Sequence, residues 1–479
     1  MVASVRKCVA RLLVFLTMLV APLAAPAQDA RLDDPKELER HTYDLSFGNP
    51  RAADTALEWF ADRGDPDAIA AIITALRFGR ASRHKANATL ATLAGVDPNA
   101  ADAPDSWFEW MLWQQAHPEI KPNAFYLPFK LANYERRIDA GFHRFFPSGD
   151  IREIADIRIE EIAWGGVRID GIPPLDEPTM IAAADADYLL DNDLVFGVSI
   201  NGDARAYPLR ILGWHEMMND TVGGQPLALA YCTLCGAGVL YATDIDNPRS
   251  NGPLIFSSTG LLYRSNKLMY DRQTDTVWDH FAGKPVMGPL RGSGIVLEVL
   301  PMVTTTWADW REANPQTTVV SLNTGFRRNY GSGVVYADYF ASPDLMFPAR
   351  LTDDRLRQKD RVFALRMAGG SKAWPIDMFE GGEVINDRVG LVDVVLVGNT
   401  AARTVRAYER SANQSFGILR DAQTIEGPSG DWQVTEDALV GPDGERLGRL
   451  PGHIAYWFAW AGNMGELAEL PETAENSGN

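Results

Sequence analysis

Leu194-Val195-Phe196-Gly197-Val198-Ser199-Ile200, then Asn201-Gly202, then Ala204-Arg205-Ala206-Tyr207-Pro208, reads as a short apolar strand stopped by a turn pair, with a second extended run ending on proline. Its landmarks return downstream. Val195-Phe196, Tyr207-Pro208 and Asn219-Asp220 find counterparts in Val362-Phe363, Trp374-Pro375 and Asn386-Asp387 at one constant spacing. Leu300-Pro301 with Trp307 and Trp310 is matched by Leu450-Pro451 with Trp457 and Trp460 at a shorter spacing, so the second copy is more compact inside. This repetition predicts an α+β chain: a helical, α-solenoid-like segment followed by a β-rich domain of two pseudo-symmetric lobes.

Upstream the pattern changes to helices. Asn49-Pro50 opens a run with Ala53, Ala56, Leu57 and Phe60 on one face, closed by Gly64; Asp65-Pro66 opens a second with Ile69, Ile72, Ile73 and Leu76, closed by Gly79. Two such helices form an αα-hairpin like one solenoid unit. Ala86 to Ala94 extends it, and Ser106 to Gln115 adds a helix with Trp107, Trp110, Met111 and Gln114 on one side. That stripe reads first as packing against the next domain and second as a surface for a partner protein.

Arg6, Lys7 and Arg11, the apolar run Leu12 to Leu23 and the small residues Ala25-Pro26-Ala27 have the form of an export signal. The expected division is therefore signal peptide 1–27, helical segment 28–154, first lobe 155–350, second lobe 351–465 and a disordered acidic tail 466–479. Export implies a periplasmic or secreted protein without a transmembrane segment after cleavage. Asp+Glu at 63 against Lys+Arg at 45, a formal charge of −18, argues against nucleic acid as a partner.

Cys8 leaves with the signal, so the mature chain holds Cys232 and Cys235, in Tyr231-Cys232-Thr233-Leu234-Cys235-Gly236. Two intervening residues let both sulfurs face one volume, and three readings stay open. A reactive pair would cycle between dithiol and disulfide, with His215 as general base or thiolate partner and His280 as a second candidate. A metal site would use Cys232, Cys235, His215 and His280 for zinc, copper or iron. A structural disulfide would only brace the turn, although so small a loop stabilises little. Leu209, Leu212, His215, Glu216 and Asn219 fall on one helical face, and Asp279 is placed to orient a neighbouring imidazole. Tyr263, Arg264, Ser265, Asn266, Asp271 and Arg272 are candidates to line a substrate pocket, with Asp271 to Asp275 alternatively closing a hairpin. At the constant spacing His215 becomes Gly382, Cys232 becomes Asn399 and Cys235 becomes Ala402. The shared residues thus read as framework and the unshared ones as chemistry.

Trp164-Gly165-Gly166-Val167, Asp170-Gly171-Ile172-Pro173-Pro174-Leu175, Ala206-Tyr207-Pro208-Leu209, Trp214-His215-Glu216, Tyr231-Cys232-x-Leu234-Cys235-Gly236, and Gly260-Leu261-Leu262-Tyr263 through Met269-Tyr270-Asp271-Arg272-Gln273-Thr274 give the chain its family likeness. It resembles the exported proteins grouped as domain of unknown function 3179, most closely over residues 160 to 325. Some members of that family look like selenoproteins with selenocysteine in the two-cysteine motif, which implies redox chemistry and hence an oxidoreductase-like activity toward a redox partner or small molecule. Where the family commonly has proline, this chain has Thr233.

Overall fold

In the computed structural model of the chain, the described residues are 32 and 34–471, apart from 98, 101, 147–152, 247, 248, 250, 466 and 467. The expected signal peptide lies outside them. Six helices come first: α1 (Pro35–Phe47), α2 (Pro50–Arg63), α3 (Ile69–Phe78), α4 (Arg83–Ala94), α5 (Trp107–Ala116) and α6 (Tyr126–Arg137). The caps explain the boundaries. Asn49 accepts the Ala52 N–H, Gly64 ends α2 at φ +70°, and Gly95 ends α4 at φ +67°. The run after Asp65-Pro66 differs from the expectation: Pro66–Ala68 is a tight single turn, because Asp65 caps Asp67, and the α-helix begins only at Ile69. Trp110 is fully buried in the core of the helices and its indole N–H donates to Asn87 Oδ1 at 3.1 Å.

The β-rich region follows with strands β1 (Ile162–Trp164), β2 (Leu175–Asp176), β3 (Met180–Ala182), β4 (Leu194–Ile200), β5 (Asp203–Pro208), then α7 (Leu209–His215), β6 (Met217–Val222), β7 (Gln225–Cys232), β8 (Ala237–Ala242), β9 (Phe256–Tyr263), β10 (Asn266–Asp271), β11 (Val277–Asp279), β12 (Pro285–Met287), β13 (Val303–Thr306), α8 (Trp307–Ala313), β14 (Thr318–Val320) and α9 (Ala337–Ala341). It continues with β15 (Arg361–Met367), β16 (Gly370–Pro375), β17 (Glu383–Val389), β18 (Val392–Asn399), β19 (Thr404–Glu409), β20 (Leu419–Asp421), β21 (Thr424–Gly427), β22 (Gly430–Val434), β23 (Ala438–Val440), β24 (Arg446–Leu450), β25 (His453–Tyr456), α10 (Trp457–Met464) and β26 (Ala468–Glu469). β26 pairs in parallel with β16, so Ala468–Glu469, within the expected disordered tail 466–479, form an ordered edge strand, and residues 472–479 lie outside the described ones.

β4 and β5 form an antiparallel pair flanked by β13 and, in parallel, β14. β15 and β16 do the same with β25 and, in parallel, β26. Gly197 is glycine because a Cβ there would sit 2.2 Å from the Trp310 ring. The sheet running from β17 through β18, β19, β24, β23, β22 and β21 to β20 curls so that its ends meet: Leu419 of β20 packs beside Gly382, just before β17, giving a nearly closed barrel around Val395, Tyr408, Ile425 and Trp432. β25 packs on β8 and β13 on β19, which interlocks the two parts.

The helices are pinned to the sheets by buried polar groups. Lys130, 2% exposed, donates to the carbonyls of Ile159 and Ile162, each at 2.6 Å, and burial lowers its pKa to about 7 against the opposing pull of Glu160 and Glu161. Gln114 donates to the Glu160 carbonyl and Gln115 to that of Pro348. Lys130→Met keeps the stem but strips the Ile159 carbonyl of this donor and leaves the Ile162 carbonyl with the Tyr134 hydroxyl, so it is expected to cost about 2–4 kcal/mol in denaturant unfolding and to release the helices to protease first. Unfolding indistinguishable from wild type would contradict this.

Candidate functional site

Cys232 closes β7 opposite Ala237, the first residue of β8, and Thr233 to Gly236 make the connection. The two cysteines form a disulfide with Cα atoms 5.3 Å apart. The Cys235 N–H donates to the Cys232 carbonyl at 3.2 Å and also lies 3.3 Å from Cys232 Sγ; the Gly236 N–H donates to the Thr233 carbonyl. Gly236 takes φ +60°, and a Cβ there would meet the Tyr456 ring at 3.0 Å. Both sulfurs are covered, with Cys232 2% and Cys235 0% exposed.

The two sulfurs have different neighbours. Cys232 Sγ has the Cys235 amide aimed at it, a donor that favours a thiolate. Cys235 Sγ lies 3.1 Å from the side-chain amide of Asn266 and 3.6 Å from the Ser265 carbonyl. Asn266 also meets His280 Nδ1 at 3.2 Å, while His280 Nε2 lies 2.9 Å from the Ala230 carbonyl. A carbonyl only accepts, so Nε2 carries the proton and Nδ1 a lone pair; burial holds the His280 pKa down to about 4. The Asn266 NH2 group must then face Nδ1, which also turns an N–H donor toward Cys235 Sγ. In the opposite orientation that NH2 group is buried without a partner.

Behind the turn sits a buried ion pair. Lys267 Nζ donates to Glu216 Oε2 at 3.1 Å and Thr233 Oγ1 to Glu216 Oε1 at 2.9 Å. Burial lowers the Lys267 pKa, which Glu216 opposes. The cover comes from α9 and β25: the Tyr339 hydroxyl donates to the Leu234 carbonyl at 2.7 Å, and the Tyr456 N–H to the Cys235 carbonyl at 2.8 Å.

These contacts redistribute the roles expected from sequence. His215 is fully buried, but its ring bonds the Pro173 carbonyl and the Tyr330 hydroxyl, and it makes no bond to either sulfur. Its helix stops one residue later because Glu216 adopts φ +56°, so Glu216 and Asn219 do not continue the helical face. Asp279 does not orient an imidazole; its Oδ1 caps the Phe281 and Ala282 amides. Of the pocket candidates, Ser265 and Asn266 reach Cys235. Tyr263 is half-buried beneath Arg264, which pairs with Glu161, and neither hydrogen-bonds a sulfur. Asp271 closes its turn by accepting from Thr274 and Trp278, and Arg272 pairs with Asp176 at the surface. Among the described residues no group of three or more His, Cys, Asp or Glu side chains is placed to hold a metal ion, so Cys232, Cys235, His215 and His280 do not gather as one ligand set. Thr233 spends its hydroxyl on Glu216 rather than on sulfur. Lys267 stands outside the site residues expected from sequence, and its signal is a lone charged residue entering the apolar strand run Leu268-Met269-Tyr270.

The neutral His280 makes the fold acid-sensitive. Its folded pKa lies below the unfolded value of about 6.5, so as pH falls the unfolded chain takes up a proton that the folded chain refuses until about 4. Stability is therefore lost across that window, by about 1.4 kcal/mol per pH unit for this group. Denaturant midpoints of His280→Gln should fall less between pH 7 and pH 5 than those of wild type; parallel falls would remove His280 as a cause.

No curated protein and no solved structure matches the chain. A family model described as "Protein of unknown function (DUF3179)" matches residues 169–466, which spans β2 to α10 and leaves the six N-terminal helices and β1 outside. Covering more than half of the sequence, the match includes the cysteine turn, Glu216, Lys267, Asn266 and His280, and the chain belongs to this family.

Proposed function

We propose that the protein is an exported, oxidoreductase-like protein whose Cys232–Cys235 pair cycles between disulfide and dithiol, and that its β-rich region is a duplicated lobe. The duplication is supported side chain by side chain. Asn219 clamps the Phe256 peptide through both its amide groups, and Asn386 clamps that of Phe416 in the same way. Asp220 accepts from Tyr207, Arg205 and the next amide; Asp387 accepts from Trp374, Lys372 and the next amide.

The observation that carries the redox reading is a turn without sulfur. Asn399 of β18 pairs with Thr404 of β19 as Cys232 pairs with Ala237, and the same number of residues connects them. Arg403 N–H donates to the Thr400 carbonyl and Arg403 takes φ +51°, as the Gly236 N–H donates to Thr233 and Gly236 takes φ +60°. This scaffold makes the turn without a bridge, so the cysteines are not needed to shape it. In the reaction a partner thiolate attacks Cys232 Sγ, the S–S bond breaks, and Cys235 leaves as a thiolate that the Asn266 N–H stabilises and that takes the proton of the partner's second thiol. That second partner sulfur, now a thiolate, displaces Cys232, whose thiolate accepts from the Cys235 amide and then takes up the proton that the first partner thiol gave up on ionising. The partner becomes the disulfide and the protein the dithiol; the reverse direction uses the same steps.

Unfolding of the oxidised and reduced protein tests the reading. The chain-entropy cost of opening so small a loop is about 2 kcal/mol, and the reduced fold should lose no more than that. A loss approaching the whole folding stability would assign the bridge to bracing. The cover makes a second prediction: Tyr339→Phe, which loses the bond to the Leu234 carbonyl, should speed alkylation of the reduced thiols about fivefold, with Cys232 modified before Cys235. An unchanged rate would show that access does not run beneath α9.

A further inference from the structure

A cleft of about 710 Å³ lies between the two parts of the β-rich region and reaches Tyr231 and Gly236 on either side of the cysteine turn. That is the size of small-molecule sites. Its apolar wall includes Phe196, Phe340, Ile376 and Ile454. Three arginines line it. Arg210 is matched: it pairs with Asp193 at 2.7 Å and donates to the Tyr188 and Tyr330 carbonyls. Asp193 is the one acid among the lining residues, and it is spent on Arg210, Ser332 and the Leu190 amide.

Arg361 and Arg403 are different. Neither guanidinium forms an ion pair with a carboxylate among the described residues, in a chain of net charge −18. Arg361 stands over the Tyr456 ring, 5.5 Å from its centre. Arg403 is lowered in pKa by desolvation and then by the charge of Arg361, so the two cations share one field. Arg403 also holds φ +51°, a left-handed conformation unfavourable to any residue with a Cβ, at the turn position where the cysteine turn has Gly236. A solvent-exposed cation kept in a strained position, beside a second cation and lining a cleft with an apolar wall, adds little to folding and is suited to binding.

We propose that this cleft is a binding site for a small organic anion, its carboxylate or phosphate head held between Arg361 and Arg403 and its apolar body against Phe196, Ile376 and Ile454. The cleft binds whether or not the cysteines exchange, so the site stands apart from the redox reading.

Calorimetric titration of the purified full chain with benzoate, phenyl phosphate and the neutral benzamide tests it. At least one of the two anions should bind, and the better one identifies the head group, while benzamide should bind at least tenfold more weakly or not at all. Arg361→Gln and Arg403→Gln should each weaken the anion at least tenfold. Arg403→Gly should lose the anion equally while raising the melting temperature, because it relieves the left-handed residue; this variant keeps the test valid if a glutamine variant folds poorly. The Cys232→Ser/Cys235→Ser double variant should bind as wild type does, which separates this site from the thiol chemistry. Binding of neither anion, equal binding of benzamide, or unchanged affinity in the arginine variants would overturn the proposal.

Discussion

The Tyr456 N–H donated to the Cys235 carbonyl joins β25 to the turn between β7 and β8, and much of the site's architecture follows from that contact. It sets the Tyr456 ring over Gly236 and leaves no room for a side chain there. On the opposite side Thr404 of β19 donates to Thr305 of β13 at 2.8 Å. Each part of the β-rich region therefore holds the other part's turn, and the cleft with Arg361 and Arg403 lies between the two contacts.

The sulfurs sit where this interlock excludes water. Burial raises the electrostatic value of every nearby dipole and charge, so the Cys235 amide, the Asn266 side chain and the Glu216–Lys267 pair count for more there than at the surface. The pair is hydrogen-bonded to the turn through Thr233, which ties charge placement to turn position. A buried pair of this kind costs desolvation that its attraction offsets only in part. Its position behind the cysteine turn holds the turn's geometry through the Thr233 hydroxyl.

Much of the architecture was legible in the sequence. Asn49-Pro50 and Gly64 marked a helix because capping is local, and Asn219-Asp220 with Asn386-Asp387 marked framework because side chains that clamp backbone recur with it. The cysteine turn was legible for the same reason. What could not be read was direction. His215 is close to the cysteines along the chain, but α7 ends at a left-handed Glu216, and the reversal sends His215 to Tyr330 and the Glu216 carboxylate to Thr233. Asn266 and His280 meet Cys235 through β9, β10 and β11, which is strand pairing across long separations and invisible to local pattern.

A Cys232–Cys235 bridge that exists to be opened has a reduction potential in the exchange-active range. Equilibrating the protein with defined ratios of reduced and oxidised dithiothreitol or glutathione, and counting free thiols, measures its reduction potential directly. A redox centre should fall among exchange-active pairs, at about −120 to −270 mV. A potential below about −300 mV, where structural disulfides lie, would contradict the account and leave Cys232–Cys235 as a brace.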